Sequence, residues 1–92
     1  MNIPQITGID NALKIYYTHS EIGNKEISAL FGRLSSATIA KLKKLVKDEM
    51  FKRNEMSYGL NKVKTGTAYD VWGIDAADLE RRRKKLKALE LQ

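Results

Sequence analysis

The chain has 92 residues, with 17 lysines and arginines against 11 aspartates and glutamates, and a formal net charge of +6. Its hydrophobic share of 42% and charged share of 30% are typical of a globular protein, and this length predicts one domain with one modest core. The sequence contains no cysteine, which excludes disulfides and thiolate chemistry, and no window is apolar enough to predict a membrane span. We therefore expect a single cytoplasmic domain over residues 1–92.

Positive charge is concentrated in two segments of the chain. Residues 41–53 contain six basic and two acidic side chains, and residues 79–92 contain the same numbers. Residues 1–35 carry three of each sign, whereas residues 54–78 carry four acids and two bases. Such clustering favours a polyanionic partner, although a lysine-rich helix face that only meets solvent would have the same composition.

Two helices are predicted in the first third of the chain. An irregular lead from Met1 to Gly8 precedes a helix of two or three turns, for which Asp10 is the candidate N-cap. A loop over residues 18–24 leads to a second helix, which Asn24 would cap and in which apolar positions 27, 30 and 31 have helical spacing. Gly32 suits the left-handed residue at which many helices end.

A third, longer helix is predicted over residues 35–50, with Ser35 or Ser36 as its cap. Its apolar stripe has steps of three and four residues and consists of Ile39, Leu42, Leu45, Val46 and Met50. Lysines occupy the other side. Two helices joined by a tight, glycine-containing turn predict a helix-turn-helix, whose second helix enters the major groove of DNA.

Beyond residue 55 the spacing of the apolar residues changes from helical to alternating. The alternating sets are Met56, Tyr58 and Leu60, followed by Thr67, Tyr69 and Val71. They predict a β-hairpin over residues 56–72, with its tip near residues 64–66. A final helix is predicted from Ala76 to Leu91, with acids early and bases late, as the helix dipole favours. No internal repeat or domain boundary is evident.

In this order of elements, residues 10–74 resemble a winged helix-turn-helix domain. The segment EISALFGRLSSATIAKLKKLVKDEM is similar to the helix-turn-helix of multiple-antibiotic-resistance-type bacterial regulators, in which the stretch reads acidic-Ile/Leu-Ala-x-x-Leu-Gly-Leu-Ser-x-Ser-Thr-Val-x-x-Leu-Val-x-x-Leu. The matching positions are Ile27, Leu30, Leu34, Ser35, Ile39, Leu42 and Leu45. The chain departs from the pattern by an additional Arg33 in the turn and by Ser28 in place of Ala. The resemblance implies a mainly α fold with a small β-hairpin, in which hairpin 56–72 is the wing and residues 75–92 form an added C-terminal helix.

The candidate DNA-binding residues follow from this arrangement. Short side chains in the first turn and a half of the recognition helix would approach base edges, and Lys41 would reach a guanine edge. Lys44 and Lys47 would meet phosphates, and the turn arginine would bind phosphate or solvent. The lysines at the hairpin tip would reach the minor groove or the DNA backbone, although such a turn can also serve only to keep a hairpin soluble. The candidate set is Arg33, Ser35, Ser36, Ala37, Thr38, Ala40, Lys41, Lys44, Lys47, Lys62 and Lys64.

The aromatic residues and the single histidine do not suggest a further site. We expect Tyr16, Tyr17, Tyr58, Tyr69 and Trp72 in the core or at an interface rather than as base-stacking platforms. His19 has no partner ligands near it in sequence, and the chain has no cysteine, glycine-rich phosphate loop or framed pair of carboxylates. We therefore expect neither enzymatic activity nor a cofactor or metal.

The sequence thus predicts sequence-specific binding of double-stranded DNA, by a transcription regulator that acts as a homodimer. A protein–protein assembly module of winged-helix fold and an accessory DNA-binding part of a replication or mobile-element system are the alternatives. Arg82 and Arg83 interrupt the leucine seam of the C-terminal helix, so the helix is not expected to form a coiled coil by itself. It would pack on the first helix of its own chain or on a second subunit, and we prefer the second. The sequence does not identify an effector.

Overall fold

The computed structural model describes residues 2–90, which form five helices and two short strands. The helices are α1 (Ile9–Thr18), α2 (Asn24–Phe31), α3 (Ser36–Lys52), α4 (Thr65–Trp72) and α5 (Ala76–Glu90). The strands are β1 (Glu21–Ile22) and β2 (Val63–Lys64). This mainly helical fold with a small β component confirms the predicted class at that level. Met1 of the predicted lead and Leu91 of the predicted last helix lie outside the described residues.

The two strands pair across a long stretch of chain. They run antiparallel, with Glu21 opposite Lys64 and Ile22 opposite Val63. Ile22 and Val63 are fully buried, so one face of this short ladder belongs to the core. The Thr65 N–H extends the contact by donating to the Ser20 carbonyl at 3.0 Å. The strand pair therefore connects the segment before α2 with the segment after α3.

The predicted β-hairpin over residues 56–72 is wrong. Residues 53–62 form an irregular loop, hereafter the 53–62 loop, and residues 65–72 form α4 instead of a second strand. Buried positions 65, 68, 69 and 72 of α4 follow helical spacing. Threonine, tyrosine and valine favour strands, but tertiary contacts outweigh this preference. The Tyr69 hydroxyl donates to the Ala12 carbonyl at 2.6 Å, and the Trp72 indole N–H donates to the Leu42 carbonyl at 3.3 Å.

The core forms where α1, α2, α3 and α4 meet. The predicted apolar residues of α2 and α3 are buried there, namely Ile27, Leu30, Phe31, Ile39, Leu42, Val46 and Met50. Leu45 is instead 38% exposed, because its position on the helix lies roughly 100° from the centre of the buried stripe. The rings of Phe31 and Trp72 pack edge to face at 5.3 Å.

The tyrosines divide between core and surface. Tyr69 is buried and Tyr16 packs on it with ring centroids 5.0 Å apart, as predicted for core residues. Tyr17 and Tyr58 are exposed, so the core is excluded for these two side chains, and the predicted position at an interface is untested.

The N-terminal lead closes the end of α2. The Thr7 N–H donates to the Leu30 carbonyl at 2.8 Å, and the Asn11 side-chain amide donates to the Ala29 carbonyl at 2.6 Å. These donors satisfy carbonyls that the end of a helix leaves without partners. α1 begins after Gly8, so the predicted N-cap at Asp10 is wrong by two residues.

Two units of helix, short turn and helix follow one another in the chain, α2–α3 and α4–α5. In each unit a glycine with positive φ ends the first helix, an apolar residue follows, and an oxygen-bearing side chain caps the second helix. The equivalent residues are Gly32 and Gly73, Leu34 and Ile74, and Ser35 and Asp75. These shared features are local turn and cap chemistry, and the two glycines differ in ψ, which is −170° at Gly32 and 25° at Gly73.

Candidate nucleic-acid interface

The turn between α2 and α3 fixes how α3 leaves the core. Gly32 has φ 85° and ψ −170°, a region that is essentially restricted to glycine, and its N–H donates to the Ser28 carbonyl at 2.8 Å. Ser35 is the N-cap of α3, and its hydroxyl accepts a bond from the Thr38 N–H at 3.2 Å. Ser35, one of the two predicted caps, is confirmed, whereas Gly32 ends α2 with a positive φ but outside the predicted left-handed helical region.

The amino end of α3 is open to solvent. Ser35, Ser36, Ala37 and Ala40 are exposed, whereas Thr38 is half-buried, with its hydroxyl 2.9 Å from that of the capping serine. The first turn carries no acidic side chain. Free backbone N–H groups at such an end attract anions, and short side chains let another molecule approach the backbone closely.

The exposed side of α3 is basic along its first three turns. We define the α3 outer face as Ser36, Ala37, Ala40, Lys41, Lys44 and Lys47, all of which are exposed. The Lys44 ammonium lies 3.7 Å from the Asp48 carboxylate, and both side chains are largely exposed. An ion pair of this kind contributes little to stability, so a phosphate can replace the carboxylate at small cost.

Lys43, which the sequence analysis did not single out, has a different role from its neighbours. It is only 8% exposed, and its Nζ donates to Asn24 Oδ1 at 3.0 Å. Burial, and to a smaller extent the charge of Lys47, lowers the pKa of this lysine. The predicted cap at Asn24 is wrong, because Gly23 is the N-cap of α2 and its N–H donates to the Glu26 carboxylate at 2.8 Å. Asn24 instead links the start of α2 to α3.

The structure separates the remaining predicted cations. Arg33 is exposed in the turn that leads into α3. Lys64 is half-buried in β2 opposite Glu21, so its predicted position at a hairpin tip is wrong. Lys62 is exposed at the end of the 53–62 loop, and its stem packs so closely on Gly59 that a Cβ there would lie 2.6 Å from Lys62 Cδ.

The 53–62 loop carries exposed apolar side chains that the hairpin prediction assigned to a strand. Met56 is 74% exposed, Tyr58 93% and Leu60 90%, and Phe51 at the end of α3 is also exposed. The signal for a loop was the local turn chemistry, because Asn54 and Asn61 both have left-handed φ values. Turn-forming asparagines at both ends of this segment indicate a loop, and this signal outweighs the alternation of apolar residues between them.

Comparisons with known proteins identify no relative of this chain. No family model, curated protein or solved structure matches the chain. Residues 2–90 contain no cluster of three or more His, Cys, Asp or Glu side chains that could hold a metal ion. No helix in the same part of the chain has both the length and the apolar character required to cross a bilayer.

Proposed function

We propose that this protein binds double-stranded DNA by placing the α3 outer face in the major groove. The observation that carries the proposal is the exposed, acid-free amino end of α3, followed on the same outer side by Lys41, Lys44 and Lys47. A lysine-rich helix face that only meets solvent could carry the same charge, but it would have no need of small residues at its amino end. Ser36, Ala37 and Ala40 allow close approach to a groove floor.

The dimensions of α3 suit this role. Its 17 residues span about 25 Å, and a major groove about 12 Å wide accepts one α-helix. With the amino end innermost, Lys41 reaches a base edge, and Lys44 and Lys47 lie further along the helix, where phosphates flank the groove. Arg33, in the turn, adds a fourth cation near the same end.

The arrangement of elements supports a variant of the winged helix-turn-helix. Helices α2 and α3 form the helix-turn-helix, and the pairing of β1 with β2 braces it from behind. The 53–62 loop lies between α3 and β2, where the wing of a winged helix-turn-helix would begin. The wing of this variant is therefore a loop with side chains directed outward, and Lys62 is its basic residue.

We further propose that the protein is a transcription regulator that dimerises through α5. α5 packs on α1 of its own chain, which is one of the two predicted alternatives, and it still leaves Leu86 and Leu89 exposed one helical turn apart. The arginines that interrupt this seam are paired within the chain: Arg82 Nε lies 3.0 Å from an Asp78 carboxylate oxygen, and Arg83 Nε lies 3.0 Å from one of Asp10. This pairing reduces the charge repulsion that a second α5 would meet, and a two-fold dimer matches palindromic half-sites.

Selection of bound sequences from a random duplex library tests the groove assignment. We expect the unmodified protein to enrich a motif, and Lys41→Ala to relax preference at one position in each half-site. Lys44→Ala should weaken binding to all sequences evenly, because a phosphate contact carries no base information. Equal motifs and equal affinities for all three proteins would contradict the assignment, and salt-insensitive binding to a protein partner would favour the assembly-module alternative.

A further inference from the structure

The 53–62 loop exposes more apolar surface than a loop on a small monomer needs. Met56, Tyr58 and Leu60 alternate along it, and all three side chains are at least 74% exposed. A single exposed apolar residue requires no explanation, but a group of large ones commonly marks an interaction surface.

The loop is held in this conformation by its backbone. The Glu21 carboxylate accepts bonds from the Tyr58 N–H at 2.5 Å and from the Gly59 N–H at 2.7 Å. At the start of the loop, the Glu55 N–H donates to the Met50 carbonyl at 2.8 Å, which closes the end of α3. Because the backbone is fixed, the outward direction of the side chains is a built feature of the loop.

The charges around the loop are nearly balanced. Glu21 and Glu55 keep their negative charge, because the groups that donate to them are backbone N–H groups and the Thr67 hydroxyl, which are neutral. Lys62 packs its stem against Gly59 and leaves its ammonium at the surface. The position of the loop beside the basic α3 outer face, and not its own charge, therefore indicates a polyanionic partner.

The loop adjoins the surface that is proposed to enter the major groove. Lys47 of the α3 outer face lines a concave surface of about 320 Å³ together with Phe51 and Met56, and Glu55 is the one acidic side chain in its lining. A duplex held on α3 would therefore continue past Lys47 onto the loop. At the edge of a major groove the next surface along the duplex is the minor groove, where apolar wedges can enter between base pairs and kink the helix.

Resting on the proposed DNA binding by α3, we propose that the 53–62 loop inserts Tyr58 and Leu60 between base pairs of the adjacent minor groove and bends the DNA. α3 supplies affinity and register, and the loop supplies deformation. Sequence preference outside the α3 contacts then arises from how easily a base step opens, which is greatest at pyrimidine–purine steps.

Ligase-catalysed ring closure tests this proposal without knowledge of a specific site. A linear duplex shorter than the persistence length of DNA, about 150 bp, closes into a circle rarely unless a bound protein bends it. We expect the unmodified protein to raise the yield of circles about tenfold or more, since the elastic cost of bending is large at this length. The loop variant Tyr58→Ser/Leu60→Ser should lose this effect while still shifting the same duplex.

Three controls separate the possible outcomes. Tyr17→Ser removes an exposed tyrosine from α1, away from the loop, and should close circles as the unmodified protein does. Lys41→Ala/Lys44→Ala should reduce binding and circle formation together. Binding and circle yield that are unchanged in the loop variant would overturn the inference and leave the DNA-binding proposal intact. No duplex binding by the unmodified protein would overturn both, and loop-dependent binding to single strands alone would replace the wedge with base stacking.

Discussion

Lys43 Nζ and Asn24 Oδ1 lie 3.0 Å apart, and their hydrogen bond connects α3 with the start of α2. The next residue, Lys44, points to solvent on the other side of α3. Two adjacent lysines of equal charge therefore lie in different environments, since Lys43 is buried between α2 and α3 whereas Lys44 faces the proposed partner. This contrast provides a matched pair of variants.

Lys43→Met and Lys44→Met should change different properties, stability in the first variant and DNA binding in the second. Lys43→Met removes a charge that is costly to bury and leaves behind an exposed amide, so we expect an unchanged or higher free energy of unfolding, by up to about 1 kcal/mol. Lys44→Met should change stability by less than about 0.5 kcal/mol, as is usual for exposed positions, but should weaken duplex binding. Urea unfolding and fluorescence anisotropy measure the two effects. Greater loss of binding in Lys43→Met than in Lys44→Met would reverse the assigned roles.

The two turn glycines should differ in which substitutions they tolerate. Gly73 has φ 72° and ψ 25°, the left-handed helical region, so Gly73→Ala should destabilise by about 1–2 kcal/mol and Gly73→Asn by less. Gly32 lies outside that region, so asparagine offers no relief there, and Gly32→Ala and Gly32→Asn should each cost about 1–3 kcal/mol. Denaturation midpoints of the four variants test this. A clear rescue by asparagine at Gly32 would show that α2 and α3 are joined by a different turn.

Alkaline pH should weaken the fold through Tyr69. Burial, and to a smaller extent the neighbouring Tyr16, raises the pKa of the Tyr69 hydroxyl above its ordinary value. The folded state then keeps a proton that the unfolded chain releases, so this contribution is present below about pH 10 and is lost as pH rises further. Tyr69→Phe should cost about 1 kcal/mol at neutral pH, because the bond to the Ala12 carbonyl is lost, but its stability should fall less steeply above about pH 10. Identical slopes in unfolding experiments at pH 9–11 would disprove the coupling.

Dimerisation through α5 should depend on its two exposed leucines. Sedimentation equilibrium should give the mass of two 10.5 kDa chains for the unmodified protein and of one chain for Leu86→Ser/Leu89→Ser. Leu45→Ser changes an exposed leucine on α3 and should leave the dimer intact. A monomer at concentrations that bind DNA would remove α5 from the interface and would leave the α3 assignment untouched.

The sequence predicted the parts of the fold that depend on local signals. The stripe that begins at Ile39 and Leu42, the positive φ of Gly32 and the cap at Ser35 follow from helical period and from turn and cap chemistry, and the structure contains all of them. The exposure of the α3 outer face follows from the same period. Its contact with DNA is untested by these observations and remains a prediction.

The errors concern contacts between residues that are distant in the chain. β1 pairs with β2 across more than 40 residues, and no local pattern specifies such a partner. The segment around Tyr69 has strand propensity, but bonds to α1 and α3 make it a helix. Alternation in residues 56–60 predicted a strand, and the left-handed residues at Asn54 and Asn61 hold it as a loop.

The salt dependence of duplex binding tests the central claim most directly. An anisotropy titration of a random-sequence duplex at several salt concentrations should give a linear fall of log affinity with log salt, with a slope of about −0.9 for each phosphate contacted. We predict that Lys44→Ala/Lys47→Ala makes this slope shallower by about 1.8, whereas Lys43→Met leaves it unchanged. Slopes that are equal in all three proteins, or no binding of duplex by the unmodified protein, would contradict the role assigned to the α3 outer face.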